Sequence, residues 1–278
     1  MITINPLDAF LWTVRKSEKD VINLYNTLSP VMQLATGGTM LNFGYWTNGI
    51  SEPVAAQENL CREFGALAEL KDAKVAVDVG SGLSGPAMFW QNIFPNLGFY
   101  CVNTNFAQLQ FSGHQPNMEF LNSTSTKMPF LDRTTDRVLA LESSQHFKPY
   151  TDFVSESRRI LKPSGMLVLA LPVTLNDASI RNLGVLKFTW SSEHYRLNHI
   201  QDMLESGGFE IAAKMCIGKL VYVPLAEFYI KHRSTIKKSI QNKYPSYVEK
   251  ILFWSIQRMK KASMEGIIDY VLLKCTIR

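Results

Sequence analysis

The sequence predicts an α/β fold whose seven-stranded sheet is mainly parallel, with helices on both faces. Three observations carry this. Short apolar runs alternate with stretches of helical spacing, which is the pattern of strands joined by helical crossovers. A glycine-rich turn, Gly80-Ser81-Gly82-Leu83-Ser84-Gly85, follows directly on the first such run. The 278 residues, 46% of them hydrophobic, suffice to bury a large core.

The elements follow in order. Residues 6–26 carry Phe10, Leu11, Val14, Val21, Leu24 and Tyr25 at helical spacing. Gly37-Gly38 turns the chain into the aromatic segment Leu41-Asn42-Phe43-Gly44-Tyr45-Trp46, and residues 52–69 read as a helix with Leu60, Phe64 and Leu67 on one side. Val75–Val79 is β-branched and suits a buried parallel strand. Residues 86–93 suit a helix with proline in its first turn. Strands are expected at 99–102, 120–121, 137–141 and 166–171, with helices at 105–113 and 153–161, the latter stopped by Lys162-Pro163-Ser164-Gly165. A helix at 197–206 ends at Gly207-Gly208, a sixth strand covers 209–217, and a seventh covers 266–275. Residues 224–262 read as basic helices inserted between the last two strands, over the mouth of the site.

Composition narrows the class. The formal net charge is +5, and only the stretch from Lys231 to Lys243 concentrates basic residues. Such a stretch is most often a solvated helix face, otherwise a guide for an anionic acceptor or a membrane-surface contact. Nucleic acid is not an expected partner. Cys61, Cys101, Cys216 and Cys275 form no CxxC pair, so neither a zinc site nor a disulfide framework is expected. Neither a leader of the secretory type nor a membrane-length apolar run is apparent, and the expected compartment is the cytoplasm.

The turn at residues 80–85 is literally GxGxxG between a strand and a helix. Three features argue against NAD. Asp78 stands two residues before Gly80, where a carboxylate suits an ammonium better than a pyrophosphate. The second strand ends in Val102-Asn103-Thr104-Asn105, without the acid a dinucleotide ribose wants. A long segment also precedes the loop, whereas NAD domains often begin with it.

Val77-Asp78-Val79-Gly80-Ser81-Gly82-Leu83-Ser84-Gly85-Pro86-Ala87 resembles motif I of the class I S-adenosylmethionine-dependent methyltransferases. Met128-Pro129-Phe130, Asp136 and Leu141-Glu142-Ser143-Ser144-Gln145-His146 resemble their central motif, and residues 159–169 the helix-to-strand motif after it. Order and spacing match over residues 41–172, and three motifs in register are far more specific than one. The segment at 41–46 resembles the Gly-Tyr-Trp segment of the sterol, tocopherol and natural-product sugar O-methyltransferase group; residues 223–229 and 267–271 resemble that group more loosely. The resemblance implies a Rossmann-like core and S-adenosylmethionine as cofactor. It implies one domain over 1–278, with an N-terminal helical lid (1–70), a core (71–222 and 264–278) and a helical cap (223–263).

The same resemblance assigns Asp78, Gly80, Ser81 and Gly82 to the cofactor's methionine and ribose end. Asn103 occupies the position of the usual ribose-binding acid, with Thr104 beside it and Gln108 near enough to share its work. An amide can still donate and accept there. Thr124-Ser125 fills the slot of an Asp-Ala pair near the adenine; Thr124 either bonds the adenine amino group or only fills a turn. Tyr45 and Trp46 are expected to close over cofactor and acceptor, or else form a core pair in the lid. Glu142 reads as structural or as a cofactor-loop residue.

His146 follows the fourth strand, where ligands of open α/β sheets bind. Imidazole titrates in the range a general base needs, so His146 is the candidate catalytic residue, with a satisfied core or surface histidine as the alternative. His194-Tyr195 is expected to line an acceptor pocket and His199 to pack on a helix; His114 and His232 carry no assignment. Tyr25 is expected to reach the site, and Tyr244, Tyr247, Phe253 and Trp254 to cap the acceptor. No carboxylate cluster suggests a metal.

The function expected is methyl transfer to a small-molecule acceptor, first a hydroxyl of a natural product or lipid-like compound. C- or N-methylation of an isoprenoid or amine stays open. So does a non-catalytic S-adenosylmethionine-binding protein, motivated by the missing acids at Asn103 and Thr124; a nicotinamide oxidoreductase is the remote third. No stable membrane insertion is expected, and monomer and homodimer both stay open.

Overall fold

A computed structural model describes residues 14, 17–47, 49–111, 116–175, 182–189 and 192–278. Seven strands, β1 (Val75–Val79), β2 (Gly98–Asn103), β3 (Met118–Asn122), β4 (Thr135–Leu141), β5 (Leu161–Thr174), β6 (Phe209–Cys216) and β7 (Ile268–Ile277), form one sheet in the order β3-β2-β1-β4-β5-β7-β6. The first five are parallel, and β7 runs antiparallel to both β5 and β6. The expected Rossmann-like sheet is therefore present, with an antiparallel strand inserted near one edge.

Strand alternation sends successive side chains to opposite faces. Ala76, Leu139, Leu141, Val168 and Ala170 join one core with α2 (Pro53–Leu67) and α3 (Gly85–Ile93). Val77, Val79, Val138, Ala140, Leu167 and Leu169 join the other with α5 (Tyr150–Ile160) and α7 (Leu197–Ser206). In the first core Trp90 stacks between Phe64 and Phe99, at 5.6 and 6.1 Å, and its indole N–H donates to the Cys61 carbonyl at 2.7 Å. The polar edge of a fully buried indole is thus satisfied.

Three elements differ from expectation. The first helix with both ends among the described residues, α1, spans Glu18–Thr36. Ser17 and Asp20 form a reciprocal capping box at its start, and the Gly37 N–H closes its end on the Gln33 carbonyl at 2.8 Å. The Gly37 cap carries this helix past Asn26, where the apolar spacing suggested a stop; residues 6–13, Phe10 and Leu11 among them, lie outside the described residues, and Val14 is helical. Lys162-Pro163-Ser164-Gly165 is an excursion within β5: the pairing jumps from Thr135↔Leu161 to Arg137↔Met166, so β5 bulges and resumes. The basic insertion begins earlier, at Gly218. It forms α8 (Gly218–Gln241), with Pro224 inside it, and α9 (Ser246–Met264). Short helices α4 (Phe106–Phe111) and α6 (Leu186–Thr189) are the others described in full.

Candidate active site

The glycine loop leaves the carboxyl end of β1. The Gly80 and Ser81 N–H groups both donate to the Val102 carbonyl, at 2.7 and 3.2 Å, which ties the loop to β2. Gly80 has φ 72°, and a Cβ there would lie 2.5 Å from the Ser143 Cβ, so only glycine lets the ends of β1 and β4 meet. Ser143 Oγ then donates to the Val79 carbonyl at 2.6 Å.

Above this junction lies a cavity of about 710 Å³, within the range of small-molecule sites. One side is formed by Gly80, Ser81 and Gly82, by Asn103, Thr104 and Gln108, and by Thr124, Ser125, Glu142 and His146. The other is apolar, with Leu28 and Met32 from α1, Phe188 from α6, and Leu252, Ile256 and Met259 from α9. Residues far apart in sequence thus converge at the carboxyl edge of the sheet.

Asn103 is an organiser of this wall. Its Nδ2 donates to the Gly82 carbonyl at 3.2 Å and to Gln108 Oε1 at 3.0 Å, while its Oδ1 accepts from the Asn105 N–H at 3.2 Å. Both amide donors are engaged, leaving carbonyl lone-pair capacity toward the cavity. Gln108 Nε2 donates onward to Ser29 Oγ at 3.0 Å, and Asn105 Nδ2 to Asn26 Oδ1 at 2.7 Å. Two amide bridges therefore clasp α1 to the β2 end. Thr124 Oγ1 meets Thr126 Oγ1 at 3.2 Å, so it holds a turn while also lining the cavity.

Glu142, at φ 54°, follows β4. Its Oε1 accepts from the Phe43 N–H at 2.8 Å and from the Tyr270 hydroxyl at 2.9 Å, joining the aromatic segment to the sheet. Burial pushes its pKa up to about 8, against the pull of those two donors. Asp78 does not reach the cavity surface. Burial in β1 raises it to about 7, and its Oδ2 has no hydrogen-bond partner among the described residues. Two carboxylates in low dielectric beside the glycine loop suit a cationic, amine-bearing ligand better than a pyrophosphate.

His146 sits on a single 3₁₀ turn (Ser144–His146) beneath α1. Its Nε2 lies 2.9 Å from the Tyr25 hydroxyl and 3.3 Å from Gln145 Nε2. The amide nitrogen only donates, so Nε2 accepts and the ring proton belongs on Nδ1. Burial holds the Tyr25 phenol well above its ordinary pKa, keeping it protonated.

Several expected residues stand elsewhere. Tyr45 and Trp46 do not line the cavity. Gly44 presses so close to α2 that a Cβ would meet the Ala56 Cβ at 2.7 Å; Tyr45 packs on the core, and Trp46 is 6% exposed, with its indole donating to the Phe43 carbonyl at 3.1 Å. The pair is a wall behind the site. His194 is buried on Ser192, and Tyr195 packs edge-on against Tyr150, so neither lines the cavity. His199 lies on α7, its ring 6.4 Å from that of Tyr195. His232 stacks on Phe228 at 4.5 Å, and His114 lies outside the described residues. Of the expected aromatic cap only Tyr247 lines the cavity. Trp254 is exposed, Tyr244 is buried in the core, and Phe253 takes the Arg233 guanidinium at 3.4 Å. Among the described residues no three His, Cys, Asp or Glu side chains converge as a metal site.

A family profile described as a methyltransferase domain matches residues 77–169. Erythromycin 3''-O-methyltransferase of Saccharopolyspora erythraea is 24% identical over 264 residues, covering 87% of this chain and 86% of that protein. Among solved structures, a cyclopropane synthase of Mycobacterium tuberculosis superposes with a TM-score of 0.76 at 14% identity, covering 90% of this chain and 95% of that one. A [4+2]-cyclase superposes at 0.75 with 18% identity, covering 94% and 97%. The motifs, the matched domain and the sheet order agree: the chain carries a methyltransferase domain over residues 77–169 and is similar over most of its length to small-molecule, S-adenosylmethionine-dependent methyltransferases.

Proposed function

We propose that this enzyme transfers the methyl group of S-adenosylmethionine to a hydroxyl of an apolar small molecule, a natural product or lipid-like compound, with His146 as general base. The observation that carries this is that His146 lines one cavity together with the glycine loop and apolar residues of α1 and α9. The likeness to erythromycin 3''-O-methyltransferase, over 87% of this chain and 86% of that protein, supports the hydroxyl over other acceptors.

When bound, S-adenosylmethionine supplies a methyl group on a good leaving centre, so the protein's task is chiefly orientation, worth up to about 7–11 kcal/mol in ideal cases. The glycine loop, Asn103, Thr104, Gln108, Thr124 and Ser125 would hold the cofactor, and the buried carboxyls of Asp78 and Glu142 would offset its positive charge. The α8–α9 hairpin and α1 exclude water. His146 Nε2 accepts the acceptor's hydroxyl proton, directly or through the Tyr25 hydroxyl that already touches it. The lid, core and cap act as one catalytic domain over residues 1–278.

The test is transfer of labelled methyl from S-adenosylmethionine to a panel of uncharged, hydroxylated apolar compounds, with the product's methylated atom located by mass spectrometry. Transfer to oxygen that is lost in His146→Ala, with S-adenosylhomocysteine affinity retained, is the expected result. Near-normal turnover in that variant sinks the base assignment and favours C- or N-methylation.

A further inference from the structure

The α8–α9 hairpin carries more positive charge than the whole chain. Residues 218–264 hold ten lysines and arginines against two acids, an excess of eight, whereas the chain's net charge is +5. Both acids are consumed locally. Glu249 is fully buried against Arg233 at 2.8 Å, and Glu227 takes Lys260 at 2.9 Å. Lys231, Lys237, Lys238, Lys243 and Lys250 are exposed, with no carboxylate within 4 Å among the described residues.

Apolar side chains stand among these lysines. Trp254 is 57% exposed, and Ile230 and Ile251 are exposed as well. Ile251 also lines the cavity, so the cavity's mouth lies on α9, one turn from Trp254. An exposed indole beside a basic helix suits the interfacial layer of a bilayer, where an amphipathic ring meets headgroups. The lysines do not serve an anionic ligand inside the cavity: Lys148 is the one lysine or arginine among the described lining residues, and it is paired with Glu193 at 2.6 Å. Their field points outward.

We infer that the α8–α9 hairpin is a peripheral docking surface for an anionic phospholipid bilayer, set so that the cavity's mouth meets the membrane. Lysines draw the hairpin to acidic headgroups, and Trp254 and Ile251 enter the interface. No helix among the described residues is long and apolar enough to cross a membrane, so docking is superficial and salt-sensitive. That the acceptor is drawn from the bilayer rests on the methyltransferase reading above; the docking does not.

The experiment is co-sedimentation of the purified full chain with phosphatidylcholine vesicles, with and without about one-third phosphatidylglycerol, at about 0.1 M salt. Binding is expected to the anionic vesicles alone, to disappear at about 0.5 M salt, and to weaken about tenfold or more in K237E/K238E. The double variant is accepted only with unchanged thermal midpoint and S-adenosylhomocysteine affinity, and K237Q/K238Q serves if charge reversal disturbs folding. Vesicles should also blue-shift the tryptophan emission, and Trp254→Phe should abolish the shift. Equal binding to neutral vesicles, binding to neither, or preferential capture of a single-stranded oligonucleotide that displaces the vesicles overturns the proposal. None of these readouts needs turnover, so failure to find an acceptor leaves the docking result standing.

Discussion

The Tyr25 hydroxyl lies 2.9 Å from His146 Nε2, joining residues 121 positions apart across the boundary between lid and sheet. The lid helix α1 therefore touches the side chain assigned to proton removal. Tyr25→Phe keeps the ring and removes this contact. Its expected effect is about a tenfold loss in kcat, against 10²–10⁴-fold for His146→Ala, with cofactor affinity within about twofold in both. Steady-state kinetics beside S-adenosylhomocysteine titration separates the two effects.

The amide bridges Asn105–Asn26 and Gln108–Ser29 hold α1 closed over the β2 end. Asn26→Ala should cost about 0.5–1.5 kcal/mol of stability and speed cofactor release, because one neutral hydrogen bond is lost at each closure. Stopped-flow displacement of S-adenosylhomocysteine reads the release rate. A double-mutant cycle with Asn105→Ala should show non-additive effects, and additive ones would mean that the bridge carries no coupling.

Glu142 and Asp78 set the pH dependence of the cofactor-free protein. Their folded pKa values, raised by burial to about 8 and about 7, lie above those of unfolded carboxyls. The folded state therefore holds protons that the unfolded state releases. Their contribution is fully present below the unfolded pKa, about 4, and is lost as pH rises through about 7 and then about 8. Glu142→Gln, which keeps both acceptor contacts, should flatten the upper part of this fall in pH-resolved chemical denaturation. S-adenosylmethionine, carrying positive charge to these acids, should release protons when it binds near pH 6.5, seen as a buffer-dependent calorimetric enthalpy.

Gly80→Ala brings a methyl group to 2.5 Å from the Ser143 Cβ at a φ of 72°. A loss of about 1–3 kcal/mol is expected, with weakened S-adenosylhomocysteine binding. Ser143→Gly in the same chain removes the clash and should restore part of both; thermal unfolding and titration of the pair provide the check.

Legibility in the sequence followed the range of the signal. The glycine loop, the strand ends and the residues just beyond them are local features, and Asn103, Gln108, Thr124 and His146 all reached the cavity. The end of α1 was also written locally, in Gly37, though the apolar spacing suggested an earlier stop at Asn26. For Tyr45 and Trp46 the sequence left a cover over the ligand and a core pair both open, because an aromatic pair reads alike whether it faces a ligand or a helix. What decides is the approach of Gly44 to Ala56. The Asn26–Asn105 and Tyr25–His146 contacts join distant segments and leave no local pattern.

The last two strands of the sheet are antiparallel neighbours, with Cys216 opposite Val271, yet residues 217–267 run between them. Neighbours of this kind are ordinarily joined by a turn of about 2–5 residues. The α8–α9 hairpin is thus a cassette spliced into a β-turn, with both of its ends fixed at one edge of the sheet. Its length and lining can be exchanged while the strands that carry the glycine loop keep their register. That separation gives the fold a route to new acceptors without renegotiating how the methyl donor is held.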